Sequence, residues 1–178
     1  SVMMQGGLSS IAASTYPSAD SEMLAAEAAY SGMEAELQSY LDNFESTHSY
    51  DEYHYDLDSI GHDPYVLISY ITAYLGGEWT MSEAQSVLDM LFEKQYILTE
   101  TVTTETRTRT ETETDEEGNE TEVEVEYTYY ICTVTLENFN LSHVPVYTMS
   151  QDQLSMYAMY MAALGNRPDL FPGSDYVN

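Results

Sequence analysis

Apolar residues recur at helical spacing in four stretches of the chain, with polar and acidic residues between them. These stretches cover residues 21–45, 65–75, 81–94 and 150–164. Spacings of three and four place apolar side chains on one face of a helix, so the pattern predicts four helices. In the second stretch nearly every position is apolar, which predicts a helix at the centre of the core.

Residues at the ends of these stretches have the chemistry of helix caps. Asp63 and Pro64 are expected at the N-cap and first position of the second helix, and Gly76-Gly77 at its end. Capping boxes precede the third and fourth helices, at Thr80 with Glu83 and at Ser150 with Gln153. The starts of three helices are therefore predicted from local chemistry alone.

The period of the pattern changes to two between the third and fourth helices. Residues 97–114 and 119–137 alternate around a turn at 115–118, which predicts a long antiparallel β-hairpin. Residues 143–148 could add a short third strand, and Pro145 would place that strand at an edge of the sheet.

Charge pairs favour one register for this hairpin. In that register Arg109 lies opposite Glu124 and Arg107 lies opposite Glu126. Opposite charges directly across two strands stabilise the pairing, so this register is favoured over its neighbours. The tyrosines of the second strand, including Tyr129, are then expected on the other face.

The sequence therefore predicts an α+β fold, in which a cluster of about four helices packs with a long antiparallel β-hairpin and a short third strand. Residues 1–15 are small and Gly/Ser-rich, so they are expected to form a flexible linker. Residues 16–177 are expected to form a single domain, with 97–137 as its hairpin arm.

Composition narrows the classes of function. The 178 residues include 31 Asp plus Glu and only 4 Lys plus Arg, for a formal net charge of -27. Such a surface repels phosphates, so no nucleic acid partner is expected. A content of 43% hydrophobic residues, with 17 Tyr and 10 Met, argues against a disordered acidic chain. The sequence has no apolar run of membrane-spanning length, so this fragment is not expected to insert into a membrane.

Three features of the sequence invite a catalytic or metal-binding interpretation. Glu45, at a helix end, could act as the acid of a divergent muramidase. The acidic stretch His48–Asp63, which contains three histidines, could bind calcium. Cys132 stands among apolar residues of a strand, where burial disfavours the thiolate, and we interpret it as structural. No catalytic residue, metal ligand or cofactor is predicted.

Methionines and aromatic residues suggest surfaces for a protein partner. The fourth helix carries a Met/Tyr stripe at 156–161, which can be either core or a binding surface. The residues predicted to bind a partner are Arg107, Arg109, Tyr127 and Tyr129 on the hairpin and Met156 and Tyr160 on the fourth helix.

Several strings of the sequence resemble one family. They are YDEYHYDLDSIGHDPYVLISYITA (50–73), LDMLFEKQYILTETVTTETRTRTETETD (88–115), YYICTVTLENFNLSHVP (129–145) and LSMYAMYMAALGNRPDLFPGS (154–174). They are similar to the extracytoplasmic region of cell-wall hydrolases encoded on conjugative transposons of Gram-positive bacteria. In that family a transmembrane segment precedes the region, and an NlpC-type or lysostaphin-like peptidase follows it.

The resemblance implies a location and a role. The chain lacks the DCSGY-like string of the NlpC-type peptidase, since GSDYV at 173–177 has no cysteine, so no catalytic residue carries over. It is expected to be a non-catalytic module at the cell surface, membrane-anchored through an upstream segment. Its expected partners are the peptidase domain of the parent chain and components of the conjugation or cell-wall-remodelling apparatus, and it could form an oligomer. The alternatives are the muramidase and a passive binder of cell wall or calcium.

Overall fold

A computed structural model of the chain describes residues 16–172. The predicted linker 1–15 and the last residues of the predicted domain lie outside this range. The helices of the described part are α1 (Asp20–Asp42), α2 (Phe44–Thr47), α3 (Pro64–Leu75), α4 (Met81–Gln95), α5 (Val144–Thr148) and α6 (Gln151–Leu164). The strands are β1 (Glu52–Leu57), β2 (Tyr96–Thr114) and β3 (Glu120–Asn138). The predicted α+β class is confirmed, with two short helices beyond the four expected.

The predicted helix caps are confirmed in atomic detail. The Asp63 carboxylate accepts a hydrogen bond from the Tyr65 N–H at 2.9 Å, and α3 ends at Gly76 in the left-handed region with φ 81°. Glu83 accepts from the backbone N–H of Thr80 at the start of α4. Gln153 accepts in the same way from Ser150 at the start of α6, at 2.9 Å.

The chain divides into two compact units, which are described separately. Unit 1 contains residues 16–39, 59–97 and 137–172, and unit 2 contains residues 40–58 and 98–136. The prediction that 16–177 form one domain stays a prediction.

Unit 1 is built around α3. Residues Pro64–Ala73 of this helix are all buried, and α3 packs mainly against α6. The inner face of α1 contributes Met23, Ala26 and Tyr30, each fully buried. The central position predicted for the most apolar helix is therefore confirmed.

Unit 2 contains a three-stranded mixed sheet in the order β1-β3-β2. The antiparallel hairpin β2-β3 was predicted, and its turn is closed by Asp115, whose N–H donates to the Asn119 carbonyl at 2.9 Å. Strand β1 runs parallel to β3, with Glu52 opposite Ile131 and Leu57 opposite Leu136. The core of the unit consists of Leu41, Phe44, Cys132, Val134 and Leu136.

The predicted third strand at 143–148 is wrong. A 3-10 turn occupies Leu141–His143, and α5 follows directly. Asn140 accepts from the Ser142 N–H at 3.1 Å and starts the turn. Pro145 suits the first turn of a helix as well as it suits an edge strand, because its missing N–H is not needed in either place. The third strand is instead β1.

Candidate interaction surface

Both arginines of β2 lie over tyrosine rings of β3. The guanidinium carbon of Arg107 is 3.4 Å from the ring centroid of Tyr129, and that of Arg109 is 5.2 Å from the centroid of Tyr127. These are cation–π distances. The four side chains predicted from the sequence on this hairpin therefore form one continuous surface, called here the arginine–tyrosine face.

The charge partners predicted for these arginines are wrong. Arg107 pairs with Glu105 at 2.9 Å instead of with Glu126. Arg109 pairs with Glu111 at 2.8 Å instead of with Glu124, and both pairs lie within β2. Arginine and tyrosine share a face, so the register differs from the predicted one by an odd number of residues. Such a slip exchanges the two faces of a strand.

The arginine–tyrosine face is accessible and held in place. The side chains of Arg107 and Arg109 are 41% and 55% exposed, and both tyrosines are half-buried. The Tyr129 hydroxyl donates to Glu52 of β1 at 3.1 Å. The Glu105 carboxylate holds the pKa of the Arg107 guanidinium above its usual value. Two planar cations thus stand at defined positions with free edges toward solvent.

The backbone next to this face is only partly paired. Strand β2 is an edge of the sheet, and β1 covers only Ile131–Leu136 of β3. An exposed edge can accept a strand from another chain, and charged side chains along it discourage non-specific pairing. The glutamates of β2 are charged side chains of this kind.

Only part of the Met/Tyr helix is available to a partner. Tyr160 is 9% exposed and packs edge-to-face on Tyr16 with centroids 5.4 Å apart. The sequence predicted Tyr160 to lie in a partner-binding surface. This prediction is wrong, because the ring faces the core of unit 1. Met156 and Met159 remain accessible, at 37% and 52% exposure.

A groove in unit 1 was missed by sequence reasoning. It has a volume of about 440 Å³ and is lined by Glu93, Lys94, Ile97, Phe139, His143, Val144, Tyr147 and Thr148. Several apolar side chains at or beside it are exposed: Tyr147 at 84%, Val146 at 70% and Phe139 at 51%. The sequence hid this groove because Val144 and Tyr147 fall in the segment that was predicted to be a strand, and Ile97 falls at the start of the predicted hairpin.

One of the three histidines in the stretch 48–63, His62, lies in a buried ionic cluster of unit 1. The His62 side chain is 3% exposed, with Nε2 2.5 Å from Glu27 Oε1 and Nδ1 2.7 Å from Glu34 Oε1. Burial lowers the pKa of His62, but the hydrogen bonds to both carboxylates outweigh it and raise the pKa to about 9. The Tyr96 hydroxyl donates to the other oxygen of Glu34.

This cluster ties the loop before α3 to α1 through His62. The two carboxylates bond to opposite sides of one imidazole ring, so they do not converge on a common point. Within residues 16–172 no group of three or more His, Cys, Asp or Glu side chains has the arrangement of a metal site.

Structural contacts also account for three further residues of the sequence candidates: Glu45, His48 and Cys132. Glu45 is exposed and accepts from the Tyr55 hydroxyl at 3.0 Å. His48 stacks on Phe44 with ring centroids 3.7 Å apart. Cys132 is fully buried in β3, and burial raises the pKa of its thiol.

No family model matches the chain, and no curated protein or solved structure is a match for it either. Among the helices of the described part, none combines the length and hydropathy needed to cross a membrane.

Proposed function

We propose that the chain is a non-catalytic, extracytoplasmic module of a conjugative-element peptidoglycan hydrolase, and that it positions the hydrolase by binding a protein partner. The sequence resemblance suggests the parent protein and the location, and the arginine–tyrosine face is the observation that supports the binding of a protein partner. Its partner is a basic protein surface, first of all that of the peptidase domain in the parent chain.

The composition of the face supports a protein ligand. Arginine and tyrosine are, with tryptophan, the residue types enriched at the energetic centres of protein interfaces. Here the tyrosines hold the guanidinium planes, so little side-chain entropy is lost on binding. The edge of β2 beside them offers unpaired backbone groups to the same partner.

The net charge supports the basic character of the partner. A chain of -27 attracts a basic surface over the screening length of the solvent and repels an acidic one. The glutamates that hold Arg107 and Arg109 remain partly exposed, at 52% and 45%, and can accept hydrogen bonds from lysines or arginines of the partner.

Binding of the purified peptidase domain from the parent chain tests the proposal. We expect calorimetry to detect a complex, and the Arg107→Gln/Arg109→Gln variant to bind about tenfold more weakly or worse, as expected for hot-spot residues. The matched control is Glu116→Gln/Glu117→Gln, which changes two exposed charges in the hairpin turn. Equal affinity of the arginine variant and the wild type would overturn the proposal, as would a parent chain without a peptidase.

Digestion of peptidoglycan separates this function from the muramidase alternative. The isolated chain is expected to release no soluble fragments from purified cell walls. Release that is lost in Glu45→Gln would identify an enzyme instead and would contradict a purely positioning role.

A further inference from the structure

The groove of unit 1 combines an apolar lining with two charges of opposite sign. Its apolar residues are Ile97, Phe139, Val144 and Tyr147, and Glu93 and Lys94 stand together on its rim. Together with Val146, the exposed parts of these side chains amount to roughly 400–500 Å² per copy, about the area of two or three aromatic side chains of about 150–250 Å² each. Apolar patches of this size on a monomer are often binding sites.

The two rim charges have no partner within the described chain. Three of the four basic residues form ion pairs: Arg107 at 2.9 Å, Arg109 at 2.8 Å and Arg167 at 2.9 Å from a carboxylate. Lys94 forms none with the carboxylates of residues 16–172, and Glu93 forms none with the bases of the same range. The two are adjacent on α4, where neighbouring side chains point in different directions and do not face each other.

An adjacent acid and base beside an apolar groove is a self-complementary arrangement. A two-fold axis brings each patch against its own copy, so residue i of one copy meets residue j of the other, and j meets i. Two symmetric ion pairs then form, each between Lys94 of one copy and Glu93 of the other. Val146 and Tyr147, the most exposed apolar side chains of the patch, are placed to enter the groove of the second copy.

We propose that the chain forms a two-fold homodimer through this groove. The groove shares no residue with the arginine–tyrosine face, so the two proposals can be tested independently. The local balance of charge favours a second copy, because most of the remaining surface of a -27 chain repels itself.

The net charge predicts a weak dimer. Two copies would bury at most roughly 800–1,000 Å² of apolar surface, which is near the apolar share of a standard interface of about 1,600 Å² in total. Net repulsion between two acidic chains weakens this association, most strongly at low salt. We therefore expect dimers only at high protein concentration and more of them at high salt.

Sedimentation equilibrium of the purified chain tests the proposal. Between about 10 μM and about 1 mM protein, at about 0.5 M salt, the mean mass should rise from 20.1 kDa toward twice that value. The single variants Glu93→Lys and Lys94→Glu should each stay monomeric, because each gives the rim two like charges. An equimolar mixture of the two should form a heterodimer, since two lysines on the rim of one copy then meet two glutamates on the rim of the other.

Two apolar variants serve as a control and as a further test of the groove. Met159→Ser removes a 52% exposed apolar side chain from α6 and should leave the association unchanged, whereas Tyr147→Ser should weaken it about tenfold or more. A wild type that stays monomeric throughout overturns the proposal. So does a dimer that both charge variants retain, or a mixture that associates no better than either variant alone.

Discussion

The buried cluster around His62 makes the stability of unit 1 depend on pH in a predictable direction. A protonated His62 donates one hydrogen bond to Glu27 and one to Glu34, and its pKa in the folded chain is about 9. In the unfolded chain the pKa returns to about 6.5. Because the folded pKa is the higher one, this stabilisation is fully present below pH 6.5 and is lost as the pH rises through 9.

The expected magnitude follows from the two pKa values. Between them the folded state holds about one more proton than the unfolded state, so the free energy of unfolding falls by about 1.4 kcal/mol per pH unit. Over the window from pH 6.5 to 9 this amounts to about 3 kcal/mol, a large part of a typical stability of about 5–15 kcal/mol. The ring is 3% exposed, so little of this is lost to solvent screening.

Urea unfolding at several pH values measures this loss. The chain has one tryptophan, Trp79, which is 1% exposed in the core of unit 1, so its fluorescence reports on the unit that contains His62. The His62→Gln variant has no proton to release, so its stability should be lower than that of the wild type at pH 6 and nearly flat up to pH 9. His54→Gln is the matched control, because His54 is 58% exposed beside a single carboxylate, where an ion pair contributes at most about 1 kcal/mol.

Two results would refute this reasoning. One is a wild-type stability that stays constant or rises between pH 6.5 and 9. The other is a His62→Gln variant that keeps the wild-type slope, which would assign the released proton to another group.

Three further outcomes are expected. Tyr96→Phe removes the hydroxyl that donates to Glu34 and should cost about 1–3 kcal/mol in urea unfolding, since it leaves a buried carboxylate oxygen without that donor; no loss would show that solvent replaces the hydroxyl. Leu88→Ala, at a fully buried position of α4, should cost about 2–5 kcal/mol, whereas Leu24→Ala, at 46% exposure, should cost much less; similar losses would contradict the burial of Leu88. Cys132 should react with a thiol reagent about a hundredfold faster or more in urea than in buffer, because burial protects it and raises its pKa; fast reaction in buffer would show that β3 opens.

Features that depend on neighbouring residues were predictable from the sequence. The cap at Asp63 and the left-handed Gly76 depend on backbone geometry within a few residues, and both are present where the pattern placed them. The hairpin turn at 115–118 is local in the same sense. The Arg107, Arg109, Tyr127 and Tyr129 group was identified by residue type, although the prediction put the two tyrosines on the wrong face.

Features that depend on distant pairing were not predictable. Neither face of the outer hairpin is buried, so hydrophobic burial does not select one register, and opposite charges across the strands were too weak a guide. Strand β1 pairs in parallel with residues about eighty positions away, where no turn signals the partner. The His62 cluster joins α1, the loop before α3 and the first residue of β2, and no spacing in the sequence brings these together.

Salt distinguishes the two proposed surfaces by acting on them in opposite directions. Binding of a basic partner to the arginine–tyrosine face relies on attraction by a -27 chain, so screening should slow its association and weaken it. Dimerisation through the groove proceeds against repulsion between two -27 chains, so the same screening should strengthen it. The Lys94 to Glu93 pairs at the groove are also screened, but the repulsion between the two whole surfaces is larger and sets the direction of the salt response. A titration from about 0.05 to about 0.5 M salt should therefore raise the dimer fraction while lowering the affinity for the peptidase domain. If both respond with the same sign, one of the two surfaces is wrongly assigned.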